Sequence, residues 1–372
     1  MSRAREFADL AGSANAGGIT GRNLIINGAM EVAQRGTSTA SISSSSTYVL
    51  DRTRFALSNG GTWTMSQSTT VPSGQGFSHS LKLDCTTADT SLGSTDYLQL
   101  QQLIEGQNVQ HLSYGTSGAK SVTVSFWIRS NKTGTYTLEV QTQTSSNAFY
   151  QNAKAFTISS ADTWEKKEIT FVGNTSNNVI NSNAVGFYVS LWLGAGSSRT
   201  SGTFTNGTWH NTAENRVHSS QVNLADSTSN ELYLTGLQLE VGEQATPFEH
   251  RSFGDELARC QRYYYKLSPG SAASGYASCN SNNTSRSDVL CHFPVTLREI
   301  PTAVETTGTA SDYGSLTAGV NVNCNSVPTF VRASLNTSFV RFPYASSSVT
   351  TGQAGIIQAK STDSFLAWSA EL

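Results

Sequence analysis

Four aromatic residues, Tyr97, Trp127, Tyr188 and Trp192, occupy alternate positions in three apolar stretches of this 372-residue chain. In SVTVSFWIR, Val122, Val124, Phe126 and Ile128 share one face of a strand, so Thr123, Ser125, Trp127 and Arg129 share the other. GFYVSLWLG puts Val189, Leu191 and Leu193 inward and Tyr188, Ser190 and Trp192 outward; DYLQLQQ puts Leu98 and Leu100 inward and Tyr97, Gln99 and Gln101 outward. If these strands share a sheet, its second face carries rings among hydroxyls and amides. Sugars suit such a surface, because their C–H faces stack on rings while their hydroxyls need directed donors and acceptors. The alternative is a face covered by loops or by a sister subunit, with the rings as packing. The polar loop SSRTSGTFTNGTWHNTAENRVH (197–218) adds Phe204, Trp209 and His210. Long loops often carry function, although an excursion between strands or a subunit contact is an equal reading. The candidate binding residues are Trp127, Arg129, Tyr188, Trp192 and Trp209.

The familiar catalytic patterns are missing from the sequence. There is no GxSxG elbow, no HExxH, no GxGxxG, and SGAKS (117–121) lacks the order of a phosphate-binding loop. The six histidines are scattered without ligand spacing. Five cysteines (Cys85, Cys260, Cys279, Cys291, Cys324), an odd number without a CxxC pair, indicate neither a disulfide framework nor a zinc site. Cys279 with Cys291 is the one pairing to check. A polysaccharide-cleaving enzyme needs two carboxylates about 5–9 Å apart, which one sequence cannot place. The periodic repeats of a parallel β-helix are also missing. No catalytic residue, metal or cofactor is assigned, and the expectation is a protein that is not an enzyme.

The elements that must hold these residues are strands. Charged residues are 13% of the chain, 31 residues are Gly, and Ser, Thr and Asn fill much of the remainder. That mixture favours strands and turns over helices. A net charge of −2 gives no electrostatic case for nucleic acid or an anionic membrane. The longest apolar runs are shorter than the ~20 residues that cross a bilayer, and acidic residues interrupt any signal-peptide pattern near Met1. About ten strands are expected between Asn23 and Val241, including 23–36, with a Ser/Thr loop at 38–47. A second series follows Lys266, including 302–308 and a closing FLAWSAEL (365–372) paired into a sheet. The fold class is all-β: a jelly-roll sandwich, one short linker helix and a smaller C-terminal β-sandwich, preceded by a short N-terminal helical anchor.

The stretch LYLTGLQLEVGEQATPFEHRSFGDELARCQRYYYK (232–266) organises this division. Its first part alternates, with Tyr233, Thr235, Leu237, Leu239 and Val241 on one face. Ser252 then caps a helix whose apolar stripe is Phe253, Leu257, Cys260 and Tyr264, with Asp255 and Glu256 paired to Arg259. The domains read 1–22 anchor and linker, 23–250 jelly roll, 251–267 connecting helix and 268–372 second sandwich. Phe7 and Leu10 of the anchor, with Phe253, Leu257 and Tyr264, are the candidate assembly residues.

REFADLAGSANAGGITGRNLIINGAMEVAQRGTS at the start, YLTGLQLEVGEQATPFEHRSFGDELARCQRYYYK in the middle, and FPVTLREIPT with the closing AWSAEL together resemble the tail fibres and receptor-binding appendage proteins of tailed phages. SVTVSFWIRSNKTGTYTLEV and LTGLQLEVG also resemble jelly-roll carbohydrate-binding modules. The resemblance implies a structural virion protein, assembled in the host cytoplasm as a homotrimer. It implies an N-terminal segment mounted on other virion proteins, with the β-domains facing a host-surface glycan or protein and no membrane insertion. No repetitive shaft is present, which points to a short appendage. A head fibre or tail adaptor without a receptor role, and a carbohydrate-processing enzyme or secreted binding module, are the alternatives.

Overall fold

The computed structural model describes residues 21–372, so the expected anchor with Phe7 and Leu10 lies outside the described residues. The chain divides into two compact units between Glu256 and Leu257. Both are built from antiparallel sheets, and the fold is all-β.

The first unit is a jelly-roll sandwich of two six-stranded sheets. One runs β1 (Ser38–Ile42), β4 (Thr62–Ser68), β5 (Ser80–Thr87), β12 (Glu231–Val241), β7 (Val122–Ser130), β10 (Glu165–Phe171). The other runs β2 (Ser45–Tyr48), β3 (Thr53–Ser58), β6 (Tyr97–Glu105), β11 (Val185–Ala195), β8 (Gly134–Gln143), β9 (Phe149–Ile158). Neighbours distant in sequence, such as β5 beside β12, mark the crossovers that tie the sheets into one body. The alternation expected for β6, β7 and β11 holds: Leu98, Leu100, Val122, Val124, Phe126, Ile128, Val189, Leu191 and Leu193 are all buried in the single core between the sheets. Phe55 of one sheet meets Trp63 of the other edge-to-face at 5.8 Å.

β12 departs from the expected single phase. Leu232 and Leu234 lie in the core, as do Leu237 and Leu239. An odd step therefore separates the two pairs. A β-bulge supplies it: the register with β7 shifts between Thr235 and Gln238, and Gly236 sits at φ +64°. Tyr233 and Thr235 consequently leave the face on which Leu237 and Leu239 remain. Tyr233 lies under the Arg129 guanidinium, 5.0 Å from the ring centroid.

Beyond the bulge, residues 23–28 run along β12 where a neighbouring strand would be. Leu24 N donates to Leu239 O (2.9 Å), Leu237 N to Gly28 O (2.9 Å), and Leu239 N to the Asn23 side chain (3.1 Å). The 23–36 stretch is thus irregular rather than the expected strand, because it is fixed by side chains. Asn27, at φ 60°, donates from its amide to Val32 O and Asp51 O and accepts from Val32 N. Glu249 accepts from Gly21 N (2.5 Å) and Asn23 N (2.7 Å). Burial raises the Glu249 carboxyl, but these two amides with Arg251 and Arg22 more than offset it and hold the group below the usual carboxylate range. The Ser/Thr run expected as a loop forms β1 and β2, and β9 was not foreseen, since FYQNAKAFTI has no apolar alternation.

The helix covers Phe253–Gln261, shorter than expected. Ser252 Oγ accepts from Asp255 N (3.2 Å), as the capping pattern predicts. Of the stripe, Phe253 is 60% exposed and Cys260 is fully buried. Glu256 pairs with Arg251 (3.4 Å) and accepts from Asn27 N in place of the expected Arg259 contact. Tyr264 is not helical: it opens β13 (Tyr264–Leu267) and its hydroxyl donates to Glu305 (2.9 Å).

The second unit has a seven-stranded sheet in the order β17 (Val320–Asn323), β16 (Tyr313–Thr317), β20 (Ala354–Ala359), β14 (Gly275–Asn283), β15 (Arg286–His292), β19 (Thr337–Pro343), β18 (Thr329–Ala333), and a two-stranded sheet of β13 with β21 (Leu366–Ser369). The closing segment is therefore paired, as expected, and Trp368 stacks on Tyr265 at 5.9 Å inside the core. Arg298 binds the carbonyls of Ala370 (2.7 Å) and Glu371 (2.6 Å), fixing that segment. Residues 302–308 form only a bridge, Glu305 with Ala367, and β16 and β17 are additional strands. All five cysteines are free and buried. The register pairing Asn280 with Asp288 leaves Cys279 and Cys291 out of step, which explains why they do not cross-link.

Candidate functional site

On the second sheet the side chains pointing away from the core form a grid set by strand register. Gln99 stands opposite Trp192 on one side and Ala56 on the other; Gln101 stands opposite Ser190 and Arg54; Tyr188 stands opposite Gln141. These residues except Ser190, with Phe149 from β9, line a cavity of about 320 Å³. The 197–218 loop closes one side. It pairs with the edge strand β9 through Gln151 N to His210 O (2.8 Å) and His210 N to Gln151 O (3.0 Å), and with Ala153 O through Gly207 N (2.8 Å). Covering that edge also removes a row of unpaired backbone groups. The loop places Arg199 and Arg216 against the cavity.

Two polar networks define its walls. Arg216 grips Glu139 with both forks, Nε to Oε1 and a terminal nitrogen to Oε2, each 2.7 Å. Its guanidinium lies 5.2 Å from the Trp192 ring centroid, and Trp192 Nε1 donates to the same Oε2 (3.2 Å). Burial disfavours the Arg216 charge, yet the Glu139 carboxylate outweighs it and raises the pKa. In the second network Arg54 donates twice to Gln101 Oε1, Gln101 Nε2 donates to Gln99 Oε1 (2.8 Å) and Ser190 Oγ (3.2 Å), and Gln99 Nε2 has no partner among the described residues although the residue is only 4% exposed. Tyr188, half-buried, meets Phe149 edge-to-face at 6.2 Å, and Tyr97 meets Trp192 at 6.5 Å. Burial pushes the Tyr188 hydroxyl up, with Arg54 acting the other way.

The expected site residues separate. Tyr188 and Trp192 share this face with Tyr97, but Trp192 is 1% exposed and serves as a wall rather than an open platform. Trp127 belongs to the other sheet, so the common aromatic face does not form. It lines a different cleft of about 400 Å³ with Phe77, Phe248 and His250. Arg129 is engaged by Asp162 (3.1 Å) and by the Tyr233 ring. Trp209 donates its indole N–H to Val172 O (2.7 Å) and packs edge-to-face on Tyr114 at 5.7 Å, a loop-fixing role. Sequence reasoning missed Arg54, Gln141, Phe149, Arg199 and Arg216. Arg54 alternates with buried Phe55 and could have been read outward; the loop arginines carry no periodic signal.

No family model matches the chain, and no curated protein matches it. Among solved structures, it is similar to the enzymatically active domain of tailspike protein 4 from bacteriophage CBA120 (10% identity, TM-score 0.32), over 59% of this chain and 21% of that one. This chain thus spans about a fifth of that structure. A xylan-binding domain from Paenibacillus barcinonensis aligns over 60% of this chain and 97% of its own (10% identity, TM-score 0.30). The C-terminal family 22 carbohydrate-binding module of a Clostridium thermocellum protein aligns over 62% and 98% (11% identity, TM-score 0.31).

Proposed function

We propose that the first unit binds a glycan on the open face of its second sheet. The observation that carries this reading is the cavity of about 320 Å³, in which the rings of Tyr97, Tyr188 and Phe149 stand among arginine and glutamine side chains. Rings provide stacking surfaces for sugar C–H faces and the fixed polar groups provide orientation. Binding rather than cleavage is supported by the carboxylate inventory. Among the described residues no Asp or Glu lines the cavity, and Glu139 is committed to Arg216 and Trp192, whereas glycoside hydrolysis uses a pair of carboxyl groups. The setting belongs to the same proposal: a subunit of an external phage appendage, acting as a homotrimer that attaches to a host surface. One shallow site of this size would bind weakly, and copies on one assembly would multiply it.

Replacing Tyr188 by Ala should lower glycan affinity about tenfold while leaving the thermal transition nearly in place, since Tyr188 is outside the core cluster. Glycan-array binding and isothermal titration on the wild type and this variant provide the check; unchanged affinity for every retained glycan would sink the site. Light scattering tests the assembly, and a monomeric mass would end the trimeric reading.

A further inference from the structure

We infer that the glycan taken by this face is acidic, carrying a carboxylate or sulfate at the Arg54–Arg199 side of the cavity; this rests on the reading of the face as a glycan site. Among the described residues three arginines line the cavity and no carboxylate does. Glu139 neutralises Arg216. Arg54 and Arg199 make no ion pair among the described residues: Arg54 bonds only the Gln101 amide oxygen, and Arg199 only the carbonyl of Ser198 (3.2 Å). The face therefore holds two uncompensated positive charges on a chain whose net charge is −2, so the excess is local to this wall.

The amide relay points the same way. Arg54 has donors only, so it fixes the Gln101 oxygen toward itself. Gln101 must then present its nitrogen to Gln99, and Gln99 its oxygen in return, which leaves Gln99 Nε2 as a buried donor without a partner. Within the relay both amide oxygens are engaged and it is a donor that is left over. A carboxylate or sulfate, which only accepts hydrogen bonds and carries negative charge, matches the Arg54 and Arg199 guanidinium donors more strongly than a neutral hydroxyl does. Gln141 and the tyrosine hydroxyls remain for the uncharged parts of the sugar.

The test uses the full-length chain and an immobilised panel of polysaccharides in pairs. Uronate-containing, sialylated and sulfated members stand beside their carboxyl-reduced or desulfated counterparts. The expected result is that at least one acidic member binds about tenfold or more tighter than its neutralised partner, and that Arg54→Gln and Arg199→Gln each abolish the difference. Arg199 lies on the loop and is absent from the core cluster, so it keeps the test open if Arg54→Gln impairs folding. Binding that survives neutralisation, or a preference that persists in both variants, overturns the acidic ligand and leaves the glycan site standing. Failure to bind any member, acidic or neutral, overturns both.

Discussion

Trp192 shows how a correct alternation can still mislead about a residue's role. Its outward position was legible from GFYVSLWLG, because Val189, Leu191 and Leu193 alternate with it. Its burial matches the reading of a face covered by loops, but the covering residue was not legible, because it comes from elsewhere: Arg216 lies 77 positions from Glu139 in the chain, and its guanidinium sits over the indole. Outward from a sheet is outward to solvent only when no loop returns across it. Trp192→Ala should accordingly act first on stability, costing about 3–5 kcal/mol as a large buried aromatic does, and only secondarily on binding. Chemical denaturation of that variant beside Tyr188→Ala separates the two roles; a Trp192→Ala protein as stable as wild type would contradict the wall assignment. Gln99 illustrates a further limit, since its amide is oriented by a relay from Arg54 that no single strand encodes.

Among the elements, β12 was read correctly as the strand around which the chain turns, but in one phase. A glycine within an alternating run is the visible cue of a bulge, and here it is also a steric requirement. A Cβ at Gly236 would come within 2.6 Å of the Phe77 ring, at a φ of +64° that side chains avoid. Gly236→Ala should therefore destabilise the first unit by about 1–3 kcal/mol, measurable as a lowered denaturation midpoint; no change would mean that the bulge relaxes freely. The irregular 21–28 segment was beyond sequence reasoning for another reason. Apolar Leu24, Ile25 and Ile26 mimic a strand, while the actual fastening is by Asn23, Asn27 and Glu249. Because the folded pKa of Glu249 is depressed, its stabilisation is present above the unfolded carboxyl value near ~4.3 and is lost as pH falls through the folded value. Acid should therefore weaken this fastening. Hydrogen exchange at the Gly21 and Asn23 amides should accelerate in wild type below about pH 4 relative to the pH trend of other loop amides, and Glu249→Gln should show no such step.

For the whole molecule, the all-β class was readable from composition and strand density. The point of division was not, since Glu256 and Leu257 fall within one continuous helix and neither residue type marks a boundary. The buried thiols give that division a consequence in time. Cys85 lies in the first unit, and Cys260, Cys279, Cys291 and Cys324 in the second. Burial pushes the Cys85 thiol up to about 11 and Cys291 and Cys324 up to about 12, which leaves almost no thiolate at these three residues at neutral pH. Alkylation must then wait for each unit to open, so the cysteines act as two internal clocks. Under pulses of a maleimide followed by peptide mass analysis, Cys85 should be labelled with one half-life and the other four together with a second, and equal rates at all five would show that the units open as one.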